Sequence, residues 1–354
     1  MSVKKQKELT PKHYQTRSGM IFSLLCLLFI FFFILDIFLG SVSIRPGEIV
    51  RAIFNNSDDT TRTILMQFRL PKAITALFVG IALSISGLQM QTLFRNPMAG
   101  PDVLGLSSGA SLGVAFVILG FSSDLSPESI KGLGNWTIAA ASWMGAGLMM
   151  LLIMVISSRV KNILTVLILG IMLSSAISAV VSIMQYFSNE TMLKAYIIWT
   201  MGSLGNLTAS QQNVMILSVL TGVVLSLVSV KMLNAMLLGE DYARSIGLDS
   251  SRSRLIIVAG TSILTGTITA FCGPIGFIGI AVPHLARIIF RTSDHKILIP
   301  GTILSGAIVM LASDIISQMP GSDNVLPVNS VTALIGIPVV IWVILRDQKN
   351  RDIF

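Results

Sequence analysis

The sequence predicts an all-α integral membrane protein with ten transmembrane helices. Three observations predict it: apolar residues far outnumber charged ones, the charges gather in short clusters, and the stretches between clusters are long enough to cross a bilayer. Hydrophobic residues make up 53% of the 354 positions and charged residues 12%, with a mean hydropathy of +0.80. Soluble domains are about half apolar but about a quarter charged, so this chain lacks the charged surface that water demands. Neutral runs between successive charges span 18–35, 73–94, 103–123, 132–158, 162–189, 195–230, 255–286, 297–313 and 324–345. A helix crosses the hydrocarbon with about 20 apolar residues, within a range of about 17 to 25. Each run suffices for one crossing.

Taken in order, residues 1–17 form a basic cytoplasmic tail with Lys4, Lys5, Lys7, Lys12 and Arg17, and 18–35 is the first crossing. Followed by Ser41-Val42-Ser43, that run also has the outline of a signal peptide, but it exceeds the usual apolar stretch of ~7–15 residues, which favours an uncleaved helix. The hydrophilic stretch 41–72 ends in Arg69-Leu70-Pro71-Lys72 at the entrance of the second crossing. Pro71 suits a first helical turn and keeps the chain extended before it. The next three runs make one crossing each. Run 195–230 holds Gly202, Gly205 and Asn206 ahead of Ser210, so it reads as a short broken helix near 194–203 and a full crossing at 211–230. Run 255–286 is interrupted by Gly273-Pro274, where a helix loses a donor and clashes with its preceding turn. It divides into crossings near 254–271 and 275–291, and 297–313 and 324–345 complete the ten.

Charge fixes the parity. With ten crossings and a cytoplasmic N-terminus, 18 of the 25 basic residues fall inside, among them Arg95, Arg159, Lys161, Lys231, Arg244, Arg252, Arg254, Arg287, Arg291, Lys296, Arg346, Lys349 and Arg351. Arg45, Arg51, Arg62, Arg69, Lys72, Lys131 and Lys194 fall outside. That bias obeys the positive-inside rule and places both termini in the cytoplasm. The net charge of +8 does not mark a nucleic-acid partner, because the cations flank crossings and gather on no one domain. Cys26 and Cys272 fall within crossings, as packing residues and not as a disulfide framework or metal site. The whole chain, 1–354, reads as a single polytopic membrane domain. It carries no Gly-x-x-x-x-Gly-Lys-Ser/Thr phosphate loop, so it does not itself cradle ATP.

A weak internal echo links "GIALSISGLQMQTLFRNPMAGP" at 80–101 to "GTSILTGTITAFCGP" at 260–274. Either the copies are an inverted repeat, starting five crossings apart, or glycine-rich helices simply resemble one another. Several segments stand out as candidates for function. Arg69 and Lys72 set two cations on the outer side against the general bias, where they either dock an acidic partner or snorkel to lipid phosphates. Leu238, Gly239, Glu240, Tyr242, Ala243, Arg244, Ile246 and Gly247 belong to a short amphipathic helix bounded by glycines, with Glu240 and Arg244 paired one turn apart. That helix either seats in a groove of a cytoplasmic partner or lies on the bilayer surface. Ser174, Ser178, Ser182 and Gln185 form a polar stripe along the fifth crossing, facing a pathway or a closely packed helix. His284 and Arg287 lack the carboxylate company of a metal or proton site and read as structural, with Arg287 reaching headgroups; Asp314 reads as a helix-end or partner contact.

Four motifs, in order, resemble one family: "RLPKAITALFVGIALSISGLQMQTLFRNPMAGPDVLGLSSGA" at 69–110, "LNAMLLGEDYARSIGL" at 233–248, "GPIGFIGIAVPHLARIIFRTSDHKILIPG" at 273–301 and "LPVNSVTALIGIP" at 326–338. The chain resembles the permease subunits of type II ABC importers for ferric siderophores, haem and cobalamin. The resemblance implies a homodimer in a bacterial cytoplasmic (inner) membrane, with the pathway on the dimer axis. It further implies two cytoplasmic ABC ATPase subunits, which use ATP and Mg, and an extracellular or periplasmic substrate-binding protein. No cofactor is implied for this chain. Under the resemblance Arg69 and Lys72 meet acids of the binding protein, 238–250 is a cytoplasmic coupling helix, and Asn96-Pro97-Met98 is a gate at the inner mouth. Two positions depart from the family pattern: Gln318 stands where an outer arginine is usual, and Val325-Leu326-Pro327-Val328-Asn329 replaces "ELPVG".

The expected function is therefore a conduit worked from outside itself, passing a ferric siderophore, haem or cobalamin and performing no chemistry. An ion-coupled secondary transporter is the competing class, and it needs ionisable residues near the midplane, which are scarce here. An intramembrane enzyme would need an H-E-x-x-H pair, a Ser/His/Asp set or paired carboxylates in the spans, and the sequence displays none.

Overall fold

The computed structural model describes residues 11–40, 42, 44–53, 59–120, 135–160, 163–319 and 324–351. Lys4, Lys5, Lys7, Ser41, Ser43, Lys131 and Lys161 lie outside them, as do residues 121–134 and 320–323. Every regular element among the described residues is helical. In chain order they are α1 (Pro11–Phe38), α2 (Pro46–Ile53), α3 (Asp59–Thr63), a π-helical turn (Ile64–Arg69), α4 (Leu70–Leu93), a 3-10 turn (Pro101–Leu104), α5 (Leu106–Ile118), α6 (Asn135–Arg159) and α7 (Ile163–Tyr186). There follow α8 (Glu190–Thr200), α9 (Ala209–Val228), α10 (Val230–Leu237), α11 (Glu240–Ser245), α12 (Ser250–Cys272), α13 (Ile278–Phe290), α14 (His295–Ser317) and α15 (Val328–Arg351). Among the described residues seven helices are long and apolar enough to cross a membrane, and Leu106–Ile118, Ile278–Phe290 and Val328–Val343 are shorter apolar helices.

The breaks read from the sequence fall where glycine and proline put them. α8 is capped by Asn189, whose Oδ1 accepts the Met192 N–H at 2.9 Å, and ends before Gly202 at φ +75°. α9 starts at a capping box between Thr208 and Gln211. α12 stops at Gly273, φ +76°, and α13 resumes after Phe277. Two boundaries differ from expectation. The tail read as running to residue 17 is helical from Pro11, which occupies a first-turn position with no breaker between it and the first span. The chain before Pro71 is not extended but helical, with Leu70 at φ −62°, ψ −48°. The π turn explains this: Leu70 N–H bonds to Leu65 O, one residue further back than in an α-helix, and the widened turn takes up the donor and space that Pro71 disturbs.

α4 is the central post of the subunit. It runs antiparallel to α14, as three pairings along its length fix: Lys72 with Asp314, Gly80 with Gly306, and Thr92 with His295. At the middle pairing the backbones touch, since a Cβ on Gly80 would lie 2.3 Å from Gly306 O. Gly87 meets Gly279 of α13 in the same way, with a Cβ falling 1.7 Å from its carbonyl oxygen. Small residues permit this approach, and dispersion between closely packed backbones replaces the hydrophobic drive that lipid cannot give. The two helices of the internal echo, α4 and α12, are the most buried of the seven spans. Ala73, Val79 and Ile85 of α4 join Met215, Leu264 and Met310 in one core, while Leu88, Met90 and Phe94 join Leu233, Ile257 and Leu298 in another.

Candidate functional site

At the end of α4 that the charge bias assigns to the outside, both expected cations are engaged within the chain. Arg69 is 8% exposed and turns inward. Its Nη1 donates to the carbonyls of Ile37 and Phe38 at 3.0 Å each, and its Nη2 to that of Val42. The first two are carbonyls that the end of α1 leaves without helical partners, where the dipole also favours a cation. Lys72 Nζ stands 2.9 Å from Asp314 Oδ1. Gln318, the departure from the family arginine, donates to Asp36 Oδ1 at 3.0 Å and to Asp314 Oδ2 at 2.9 Å. The outward-facing pair of charges expected from the sequence is therefore not presented, because the ends of α1 and α14 fold against it. The same packing brings Asp36 and Asp314 together, a carboxylate pair within the spans that the sequence did not display.

The polar stripe of α7 divides. Ser174 lies against Gly105, where a Cβ would come 2.6 Å from its Oγ, so this member serves close packing. Ser178, Ser182 and Gln185 instead face Ser107, Ser108 and Ser111 of α5 and Tyr196 of α8 across a cavity of about 280 Å³. The α5 serines belong to a motif quoted for its family likeness, but nothing in their spacing marked them as the opposite wall. Ser178 and Ser182 donate to the carbonyls of Ser174 and Ser178 at 2.9 Å each. Ser107 donates to Asp102 Oδ1, and Ser111 shares a hydrogen bond with the Tyr196 hydroxyl. A second cavity, of about 430 Å³, is lined by Ile138, Trp199, Phe271 and Leu326. Tyr196 faces the first cavity and Ala195, Ile198 and Trp199 face the second, so α8 stands between them.

At the other end of α4, Asn96-Pro97-Met98 forms a tight exposed loop. Asn96 Oδ1 accepts the Met98 N–H at 2.9 Å, and the Pro97 carbonyl accepts from His284 Nε2 at 2.8 Å. His284 is buried and structural, as read from the sequence. Arg287 does not reach toward headgroups: it donates to Gln91 Oε1, and Gln91 Nε2 donates in turn to Ile280 O at 3.1 Å. Sequence reasoning also missed a lock nearby. Asn234 of α10 donates to Asp294 Oδ1 at 2.7 Å, its Oδ1 lies 2.7 Å from His295 Nδ1, and His295 Nε2 lies 2.8 Å from Thr92 Oγ1.

The amphipathic segment is shorter than its expected span of 238–250, because Gly239 at φ +115° and Gly247 at φ +84° bound α11 and Ser250 already opens α12. Leu238, Tyr242 and Ile246 are 65%, 47% and 53% exposed, whereas Ala243 is 1% exposed and Gly239 is buried. Three apolar side chains thus project from a base that faces the subunit. Glu240 anchors that base: Arg254 of α12 donates to Glu240 Oε1, and Arg244 lies 3.7 Å from the same oxygen. Arg254 Nη1 also reaches Val160 O at 3.3 Å and Ser157 O at 3.4 Å, which ties in the end of α6. The sequence offered no signal for Arg254, since its partners are distant in the chain.

A helical membrane subunit with a hydroxyl-lined cavity between its helices, a pinned loop at one end and a projecting apolar knob beside it has the parts of a transport permease. The sequence profile of the FecCD transport family matches residues 27–346, and the chain belongs to that family. It is a permease subunit of the type II ABC importer kind, a transmembrane subunit and not itself an enzyme. It is 35% identical over 346 residues to a vitamin B12 import system permease of Klebsiella pneumoniae, covering 96% of this chain and 98% of that one. It is 32% identical over 339 residues to a hemin transport system permease of Yersinia pestis, covering 95% and 99%. A solved metal-chelate type ABC transporter in an inward-facing conformation superposes with a TM-score of 0.81 at 27% identity, covering 93% of this chain and 99% of that one.

Proposed function

We propose that two copies of this chain form the membrane portion of an ATP-driven importer that moves a ferric siderophore, or haem or cobalamin, into the cytoplasm. The seven long and three shorter apolar helices supply ten crossings, with both termini cytoplasmic in a bacterial inner membrane. The echo between α4 and α12 is read as an inverted repeat. An external binding protein delivers the chelate, and two cytoplasmic ATPase subunits use ATP and Mg; this chain holds no cofactor. The route runs past Ser178, Ser182 and Gln185, and Asn96-Pro97-Met98 closes its inner end. Docking of the binding protein is assigned to the outer rim that Arg69 and Lys72 shape from within, and not to a free cation at either position.

One observation carries this reading: Leu238, Tyr242 and Ile246 project from a segment whose other side is pinned to α12 and α6. Exposed apolar knobs on a rigidly held base suit a groove in a partner that transmits force. A transporter driven by an ion gradient has no use for them. Reconstitution decides: uptake into proteoliposomes is expected only with the ATPase subunits, the binding protein and ATP present. Uptake driven by an ion gradient, with no ATPase chain present, refutes the proposal.

A further inference from the structure

The cavity between α5 and α7 carries information about what passes through it. A serine hydroxyl has one proton and two lone pairs. In Ser178 and Ser182 that proton is committed to the helix backbone one turn earlier, and in Ser107 it is committed to Asp102. What these side chains turn toward the cavity is therefore oxygen lone pairs. Asp102 adds an exposed carboxylate just beyond Ser107. Ser108, Gln185 and the Ser111–Tyr196 pair supply the donors, and no lysine or arginine stands among the described residues of the wall.

We infer that the cargo is an overall neutral or cationic chelate bearing N–H or ammonium donors on its periphery, and not a polyanionic one. This rests on the proposed transport route through the cavity. An anion entering such a wall loses its hydration and meets like partial charge, whereas a donor-bearing neutral complex trades water for hydroxyl oxygens at little cost. Ferric trihydroxamates, neutral at the metal and fringed with amides or ammonium, fit this chemistry, as do corrinoids fringed with carboxamides. Ferric tricatecholates, polyanionic at neutral pH, and haem, with its free carboxylates, do not.

The test uses the complete complex of permease, ATPase and binding protein in proteoliposomes. Labelled ferric trihydroxamate, ferric tricatecholate, haemin and cyanocobalamin are the probes. The wild type is expected to import a neutral or cationic probe under ATP. With that probe Gln185→Lys is expected to lower uptake at least tenfold further than Gln185→Glu, which is of the same size as the native residue. Ser182→Lys and Ser182→Asp repeat the comparison one turn away, and ATPase activity of the purified complex confirms that each variant is assembled. Import of the tricatecholate or haemin in preference to the neutral probes overturns the inference. So does equal loss, or no loss, in the Lys and acidic variants. If no probe enters under ATP, the importer reading itself falls, before any variant is compared.

Discussion

Lys72 and Asp314 meet at 2.9 Å, and their pairing joins the beginning of α4 to the end of α14. Asp314 is fully buried, with Gln318 on its other oxygen. Removing one partner of such a pair leaves a charge without compensation, at a cost of about 3–5 kcal/mol. Lys72→Met should therefore lower the thermal stability of the purified protein sharply, and adding Asp314→Asn should recover much of the loss. Additive losses in the double variant, measured by thermal inactivation, would show that the two residues act apart.

Arg69 makes a different prediction. It closes the end of α1 through three carbonyls, and hydrogen bonds from a charged donor contribute about 1.5–3 kcal/mol each. Arg69→Ala should destabilise the protein by at least about 2 kcal/mol, and Arg69→Lys should recover little, because one ammonium does not span the fork. If Arg69 instead served chiefly to dock a binding protein, Arg69→Ala would leave thermal stability unchanged and weaken association more at low salt than at high salt.

On the knob beside the inner loop, exposure separates two kinds of variant. Tyr242→Ala and Ile246→Ala remove projecting apolar surface, so each should weaken co-purification of the ATPase about tenfold or more while the permease remains folded. Ala243→Trp should act otherwise. Ala243 faces the subunit, and a large ring there should destabilise the permease itself by about 1–3 kcal/mol. Thermal unfolding of each variant alone, set beside its ATPase retention, distinguishes the two.

Asp294 gives a pH signature. Burial pushes its carboxyl up, but the Lys296 N–H, the Asn234 amide and the charges of Lys296 and His295 more than offset this and hold it below the usual carboxylate range. A depressed value in the folded state means stability present above the ordinary value, about 3.9, and lost as pH falls through the folded one. Asp294→Ala should cost about 1 kcal/mol at neutral pH through the lost helix cap, and the gap to wild type should narrow in acid below that range. A gap that stays constant across the titration contradicts the assignment.

The crossings were legible because lipid tolerates so little else: an uncharged run of sufficient length has few other uses, and Gly273-Pro274 and Gly202 break helices wherever they occur. The exposed half of the 238–248 segment was legible through its period, but Ala243 was not separable from Tyr242 without knowing which side meets α12. The cavity was half visible. Ser178 and Ser182 stood out as a stripe, while Ser107, Ser108 and Ser111 became its other wall only through the packing of α5 beside α7. Least visible were the long-range anchors. Arg69, Arg254, Arg287 and Asn234 bind groups far off in the chain, and a single sequence records no such partnership.

The π turn at Ile64–Arg69 holds one residue more than a regular helix would need to cover the same rise. Each residue of an α-helix advances the azimuth by about 100°. Deleting a single residue such as Met66 would therefore let the turn close as a regular α-helix, leaving Asp59–Thr63, and α2 behind it, aimed much as before relative to α4. The widened turn is thus the slack in this part of the chain, the place where a residue can be gained or lost without turning the outer rim of the subunit away from its post.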